Sequence, residues 1–166
     1  MDIKKKTENL QSPKLYIVLQ FKLKTAWTIA NILLYNVTGA CMYNIQAHDG
    51  VITSLTYSAS YVISLGSDDR LCVWERFQGH LLNTIYVSQT FSSQVLMLAP
   101  HLVVTARSGG LVIWDVRSGE CVRTIALGRS PFIFIKQLML LRDAVFCDYG
   151  NQLRIVRFPL ITHKFD

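Results

Sequence analysis

The sequence predicts an all-β chain built from repeated four-stranded sheets. Two observations carry this: one segment recurs every forty residues, and each copy breaks into short apolar runs separated by turn formers. Leu71-Cys72-Val73-Trp74-Glu75 returns forty residues later as Leu111-Val112-Ile113-Trp114-Asp115. Forty residues earlier stands Asn31-Ile32-Leu33-Leu34-Tyr35, an alignment that puts Leu34 at the tryptophan position. The next stretch recurs as well, as Gly39 to Ile45, Gly79 to Ile85 and Gly119 to Ile125. A glycine and an isoleucine hold the same frame in all three.

The central copy shows the strands in order. Val51 to Tyr57 alternates apolar and polar residues, the pattern of a strand with one face in a core. Tyr61-Val62-Ile63-Ser64 is the second strand, and Gly66-Ser67-Asp68-Asp69 is a turn of residues that accept positive φ or bond their own backbone. Leu71 to Trp74 is the third strand and Leu81 to Ile85 the fourth. A weaker copy follows: Ala144-Val145-Phe146-Cys147, a turn from Asp148 to Gln152, then Leu153-Arg154-Ile155-Val156, with Val156 in place of tryptophan.

Four strands in about 40–45 residues, with Trp-Asp closing the third, is the signature of a WD-repeat blade. The expected fold is therefore a partial WD-repeat β-propeller of about three four-stranded blades over residues 30–166. That is an incomplete ring, since propellers close with about four to eight blades. Residues 1–29 fit no blade position and stand as an unassigned segment, in part disordered or an artefact in place of the upstream sequence. An open arc of this kind should expose an unpaired sheet edge and an apolar face.

In WD repeats a buried hydrogen-bond chain links a histidine before the first strand, an aspartate in the turn before the third, a serine or threonine, and the tryptophan indole. One blade has the full set in His48, Asp68, Ser64 and Trp74. The next keeps Thr105, Trp114 and Asp115 but has Ser88 at the histidine position and Ser108 at the aspartate position, so apolar packing and sheet hydrogen bonds should hold it. An Asp–His–Ser set also invites a hydrolase reading. The structural role is favoured, because all three residues fall at blade positions and no nucleophile elbow is present.

Other chemistry finds little purchase. No paired carboxylates, metal-ligand cluster or phosphate-cradling loop appears, and Ser108-Gly109-Gly110 is a tight turn with no lysine after it, so neither catalysis nor a cofactor is expected. Cys41, Cys72, Cys121 and Cys147 form no C-x-x-C pair, and the first and third share one repeat position. The net charge is +6, but six lysines lie in residues 1–24 against Asp2 and Glu8 alone. The body is nearly neutral, which argues against nucleic acid as a partner. The apolar stretch from Thr25 to Val37 is shorter than the about 20 residues that a membrane span needs, so no membrane insertion is expected.

From about His48 onward the chain resembles the C-terminal WD repeats of the sterol regulatory element-binding protein (SREBP) cleavage-activating proteins, the SCAP family. The resemblance is carried by Leu102-Val103-Val104-Thr105, Gly110-Leu111-Val112-Ile113-Trp114-Asp115 and Thr124-Ile125-Ala126-Leu127-Gly128. It continues in Gln137-Leu138-Met139-Leu140-Leu141, Val145-Phe146-Cys147-Asp148-Tyr149-Gly150 and Lys164-Phe165-Asp166. It implies a propeller on the cytosolic face of endoplasmic reticulum and Golgi membranes that holds the C-terminal regulatory domain of the SREBP precursor and escorts it. The sterol-sensing membrane region of that family has no counterpart in these residues. Propeller faces bind through loop side chains, and the candidates here are Arg70, Arg107 and Arg129, with Asp69 beside them. The alternative is a generic WD scaffold of another pathway, such as a ubiquitin-ligase substrate receptor.

Overall fold

A strand of six residues cannot bury both of its faces alone, so the repeat must work by stacking sheet on sheet. The computed structural model describes residues 16–24, 27–35, 38–87, 94–130 and 132–158. Among these it contains fourteen strands and no helix. The first sheet holds β1 (Tyr16–Lys24), β2 (Trp27–Tyr35) and β3 (Cys41–His48). The second holds β4 (Ile52–Tyr57), β5 (Tyr61–Gly66), β6 (Arg70–Glu75) and β7 (Leu81–Tyr86). The third holds β8 (Val95–Ala99), β9 (Leu102–Arg107), β10 (Gly110–Asp115) and β11 (Cys121–Ala126). The fourth holds β12 (Leu138–Leu141), β13 (Ala144–Tyr149) and β14 (Gln152–Arg157). Every pairing is antiparallel between strands consecutive in sequence, the blade order expected.

The recurring glycine has a backbone cause. In the turn from β6 to β7 the Gly79 N–H donates to the Glu75 carbonyl at 3.0 Å, and the Glu75 N–H to the His80 carbonyl at 2.7 Å. The same two bonds close the turn from β10 to β11, Gly119 to Asp115 at 2.8 Å and Asp115 to Glu120 at 3.0 Å. Gly39, Gly79 and Gly119 all have left-handed backbones, with φ of 81°, 69° and 76°, a region that penalises a Cβ.

Register corrects one detail of the alignment. Trp74 pairs with Leu81 and Trp114 with Cys121, each beside a bulge. In the first sheet the residue beside the equivalent bulge, paired with Cys41, is Tyr35 and not Leu34. The third strand is thus offset by thirty-nine residues there, and the turn after it is one residue shorter. A second difference lies upstream. Residues 16–24, placed outside the array by sequence, form β1 and pair with β2 from Tyr16↔Tyr35 to Lys24↔Trp27, and the expected boundary at residue 29 falls inside β2. The signal was weak because Lys22-Leu23-Lys24-Thr25 carries none of the turn or tryptophan marks of the other copies.

Each sheet has a trailing face toward the sheet before it and a leading face toward the sheet after it. Ile32 of the first sheet packs with Ile52, Val62, Cys72 and Trp74 of the second. Ile63, Leu65, Leu71 and Val73 on the second sheet's leading face meet Val95, Val103, Met97 and Trp114 of the third. Val104, Ala106, Leu111 and Ile113 of the third meet Leu138, Val145, Cys147 and Val156 of the fourth. These residues alternate along their strands, so one strand supplies two interfaces, and side chains such as Ile63, Val73, Val103 and Leu111 are fully buried. Trp74, 5 % exposed, fills one interface, and Trp114, half-buried, sits at the margin of the next. Trp74→Ala should lower the unfolding free energy by about 3–5 kcal/mol, and Trp114→Ala by a smaller amount. Denaturant titration reads both; unchanged midpoints would overturn the interface assignment.

Candidate functional site

Four polar residues at fixed blade positions converge behind Trp74. The Trp74 indole N–H donates to Ser64 Oγ at 3.0 Å. Ser64 Oγ lies 2.8 Å from His48 Nε2, and His48 Nδ1 lies 2.9 Å from Asp68 Oδ1. An ionised carboxylate only accepts, which assigns the ring proton to Nδ1 and makes Nε2 the acceptor of the Ser64 hydroxyl. His48 ends β3 in the first sheet while its three partners belong to the second, so the chain of bonds ties the two sheets together. Asp68 also accepts from the Asp49 backbone N–H at 3.1 Å, from Arg70 Nε at 2.9 Å and from an Arg70 terminal nitrogen at 2.6 Å. The same Arg70 nitrogen reaches Asp49 at 2.6 Å.

Burial sets the protonation of this group. His48 is 1 % exposed, and desolvation lowers its pKa below the ordinary 6.5 against the opposing pull of Asp68. For Asp68 burial works upward, but hydrogen bonds from Arg70 and His48 outweigh it and hold the carboxyl below 3.8. Ser64 has no exposed surface, and its oxygen is already bonded on two sides. The arrangement suits packing: a substrate has no path to that hydroxyl. Sequence reasoning placed Gly66 in the turn among residues that accept positive φ or bond their own backbone, but it ends β5 without a positive φ, and its role is different. A Cβ there would overlap the His48 ring and the Asp68 carboxylate, so the glycine makes room for the chain of bonds.

The third sheet keeps a remnant. The Trp114 indole donates to Thr105 Oγ1 at 3.0 Å. Asp115 accepts from the Arg117 guanidinium at 2.8 Å, which holds its carboxyl down to about 2. Ser108 occupies the turn from β9 to β10, and Ser88 lies outside the described residues. Among the described residues no group of three His, Cys, Asp or Glu side chains is placed to hold a metal ion.

The antiparallel order fixes which turns share an end of the array. The turns β5–β6 and β9–β10 and the connectors between sheets lie at one end, and β4–β5, β6–β7 and β10–β11 at the other. Asp69, Arg70, Arg107 and Arg129 therefore all fall at the same end. They differ in availability. Arg70 is committed to Asp68 and Asp49, and Asp69 is an exposed turn residue with φ of 57°. Arg107 and Arg129 are exposed. The β9–β10 turn is bonded to the connector after β11, by Gly109 N–H to the Ile133 carbonyl at 2.9 Å and Leu127 N–H to the Gly109 carbonyl at 3.0 Å. That connector brings Phe132, 81 % exposed, and Lys136 to the end where Arg107 stands. Sequence reasoning missed both; the alternation Phe132-Ile133-Phe134-Ile135-Lys136 between two repeats was the available sign.

Comparison with known proteins gives the same fold. No protein-family model matches the chain. It is 34 % identical over 140 residues to the sterol regulatory element-binding protein cleavage-activating protein of Xenopus laevis, a match covering 81 % of this chain and 10 % of that protein. It is 29 % identical over 106 residues to transducin beta-like protein 3 of Bos taurus, covering 55 % of this chain and 13 % of that one. The chain thus spans about a tenth of the length of these relatives. Among solved structures, the C-terminal WD40 domain of Sif2 superposes with a TM-score of 0.67 at 14 % identity, over 86 % of this chain and 43 % of that one.

The pH dependence of stability follows from His48. Its folded pKa lies below its unfolded value, so the unfolded chain takes up the proton first, and the stability contributed by the neutral ring is present above 6.5 and lost as pH falls through the folded value. Unfolding free energy should fall as pH drops below 6.5, and the fall should level off below the folded value. His48→Ala should cost about 1–3 kcal/mol at neutral pH, because Ser64 and Asp68 lose a partner, and should flatten that slope. A slope unchanged in the variant would show that another group carries it.

Proposed function

From a WD-repeat chain similar over most of its length to a sterol regulatory element-binding protein cleavage-activating protein, we propose a module that holds the C-terminal regulatory domain of the SREBP precursor and supports its escort from the endoplasmic reticulum to the Golgi. A WD-repeat scaffold for protein interaction is the coarser statement, and the shared fold supports it. The single observation that carries the finer one is the match to the Xenopus laevis protein across 81 % of this chain. No helix among the described residues is long and apolar enough to cross a membrane.

The surface we assign to the partner is the end bearing Arg107, Arg129, Phe132 and Lys136. Three cations and an exposed aromatic ring suit an acidic, partly apolar partner, since arginine and aromatic residues dominate interface energetics. Arg70 takes a supporting role, holding Asp68 under His48, so its reversal would disturb the fold as well as the surface.

Binding of the isolated SREBP regulatory domain to the chain tests this. Reversal of Arg107, Arg129 and Lys136 to glutamate should weaken binding by about 2 kcal/mol or more if the charges are desolvated, and should chiefly slow association and reduce its salt dependence if they stay at the rim. Reversal of Arg117 and Arg142, in turns at the opposite end, should leave it unchanged. Equal retention by both variants would remove this end from the interface. Failure of the unaltered chain to bind, with retention of an unrelated WD-repeat ligand, would favour a scaffold of another pathway.

A further inference from the structure

The connector between the third and fourth sheets, residues 127–137, belongs to no strand, yet its backbone is tied down at several points. The Leu127 N–H and the Ile133 carbonyl are both bonded to Gly109, and Ile135, 1 % exposed, is buried where the two sheets meet. Further ties come from two consecutive residues at the end of β13. The Tyr149 hydroxyl donates to the Ser130 carbonyl at 2.9 Å, and a Cβ on Gly128 would overlap that phenol. The Arg154 guanidinium stands over the Tyr149 ring, 5.4 Å from its centre. Asp148 Oδ1 accepts from the Lys136 N–H at 2.8 Å and from the Gln137 N–H at 2.9 Å. Neighbouring strand residues project to opposite faces, which lets this pair reach both halves of one connector.

Building a blade does not require these two side chains. The same places carry Leu65 and Gly66 in the second sheet, and Ala106 and Arg107 in the third. What Asp148 and Tyr149 hold is the segment that bears Arg129, Phe132 and Lys136, all exposed. A surface segment without such ties samples many conformations, and ordering it on binding costs affinity. We propose that Asp148 and Tyr149 are positioning residues for recognition, holding the connector in the conformation that presents Arg129, Phe132 and Lys136 to a partner. The inference rests on the partner surface assigned above, but the clamp is a property of the free chain. Removing a clamp residue leaves every contact residue in place and lowers the fraction of chains ready to bind. The loss then falls on the association rate and not on dissociation. Charge gives an independent sign. Asp148 is an anion bonded to the backbone of Lys136, so for an acidic partner its removal would by charge alone strengthen binding. Positioning demands the opposite.

Hydrogen exchange of the free 166-residue chain reads the clamp without a partner. In Tyr149→Phe and in Asp148→Ala, peptides covering residues 127–137 should exchange at least about tenfold faster, while β5 and β6 keep their protection and show an intact fold. Binding kinetics with the isolated SREBP regulatory domain read the consequence. Association should slow about threefold or more in both variants, with dissociation unchanged. Asp148→Asn keeps a carbonyl oxygen for the two N–H groups and should restore most of both losses. Asp143→Ala, in the turn before β13 at the opposite end, removes the same charge and should alter neither readout. Connector exchange unchanged in both clamp variants, tighter binding by Asp148→Ala, or a loss confined to dissociation would each overturn the proposal. Failure of the unaltered chain to bind that domain, with exchange accelerated as expected, would remove the partner named above and leave the clamp standing.

Discussion

Every sheet of this chain must bury two apolar faces, and a single sheet has nothing of its own to bury them with. The rest of the structure answers to that constraint. It explains why the strands are short, why apolar residues alternate to serve two neighbours at once, and why large side chains such as Trp74 sit where two sheets meet. Each fully buried Leu, Ile or Val is worth about 1.5–3 kcal/mol, so the interfaces outweigh any single polar contact. The hydrogen bonds at the interfaces then select one alignment among the many that apolar packing would tolerate.

Most of this was legible in the sequence. A period of forty residues, glycines that must be left-handed, and tryptophans closing the third strand are local signals, and they located ten of the strands and all four members of the chain from Trp74 to Asp68. What escaped was non-local. In the first sheet β2 closes without a tryptophan, its Trp27 lying at the start of the strand, so a one-residue shortening of the turn leaves Tyr35 and Leu34 indistinguishable without the pairing to Cys41. β1 has no turn mark and is recognised only by its partner strand. Arg70 reads in sequence like any other turn arginine; only its approach to Asp68 and Asp49 shows that it supports the fold. Phe132 and Lys136 became part of a surface through two backbone bonds between a turn and a connector.

The repeats are unequal in how they are held. Between the first and second sheets His48 adds a directional chain of bonds to the apolar contact. In the third sheet that chain is cut back to one bond within the sheet, between Trp114 and Thr105, and the Val95 N–H donates to Ser54 Oγ at 3.1 Å across the inner strands of the second and third. The third and fourth sheets meet through hydrocarbon, helped by the Leu138 N–H donating to Gln94 Oε1 at the inner strands and by the Tyr149 hydroxyl donating to the Ser130 carbonyl of the connector at 2.9 Å. Loosening need not be uniform along such an array, because the free energy of local opening follows the contacts at each junction. The partner surface assigned above lies on the third sheet and the connector that follows it.

Gly66 links these inequalities. Its place in the second sheet is taken by Arg107 in the third and by Tyr149 in the fourth, since each immediately precedes the turn at the end of its strand. The glycine is demanded by the imidazole packed against it and not by its own backbone. A blade without that imidazole is released from the demand, and the same coordinate can then carry a cation out to solvent, as Arg107 does, or a ring that latches a connector, as Tyr149 does. Reinforcement and display are thus alternatives at one address in the repeat. Blades with the weakest internal pin are the ones left free to acquire a recognition surface.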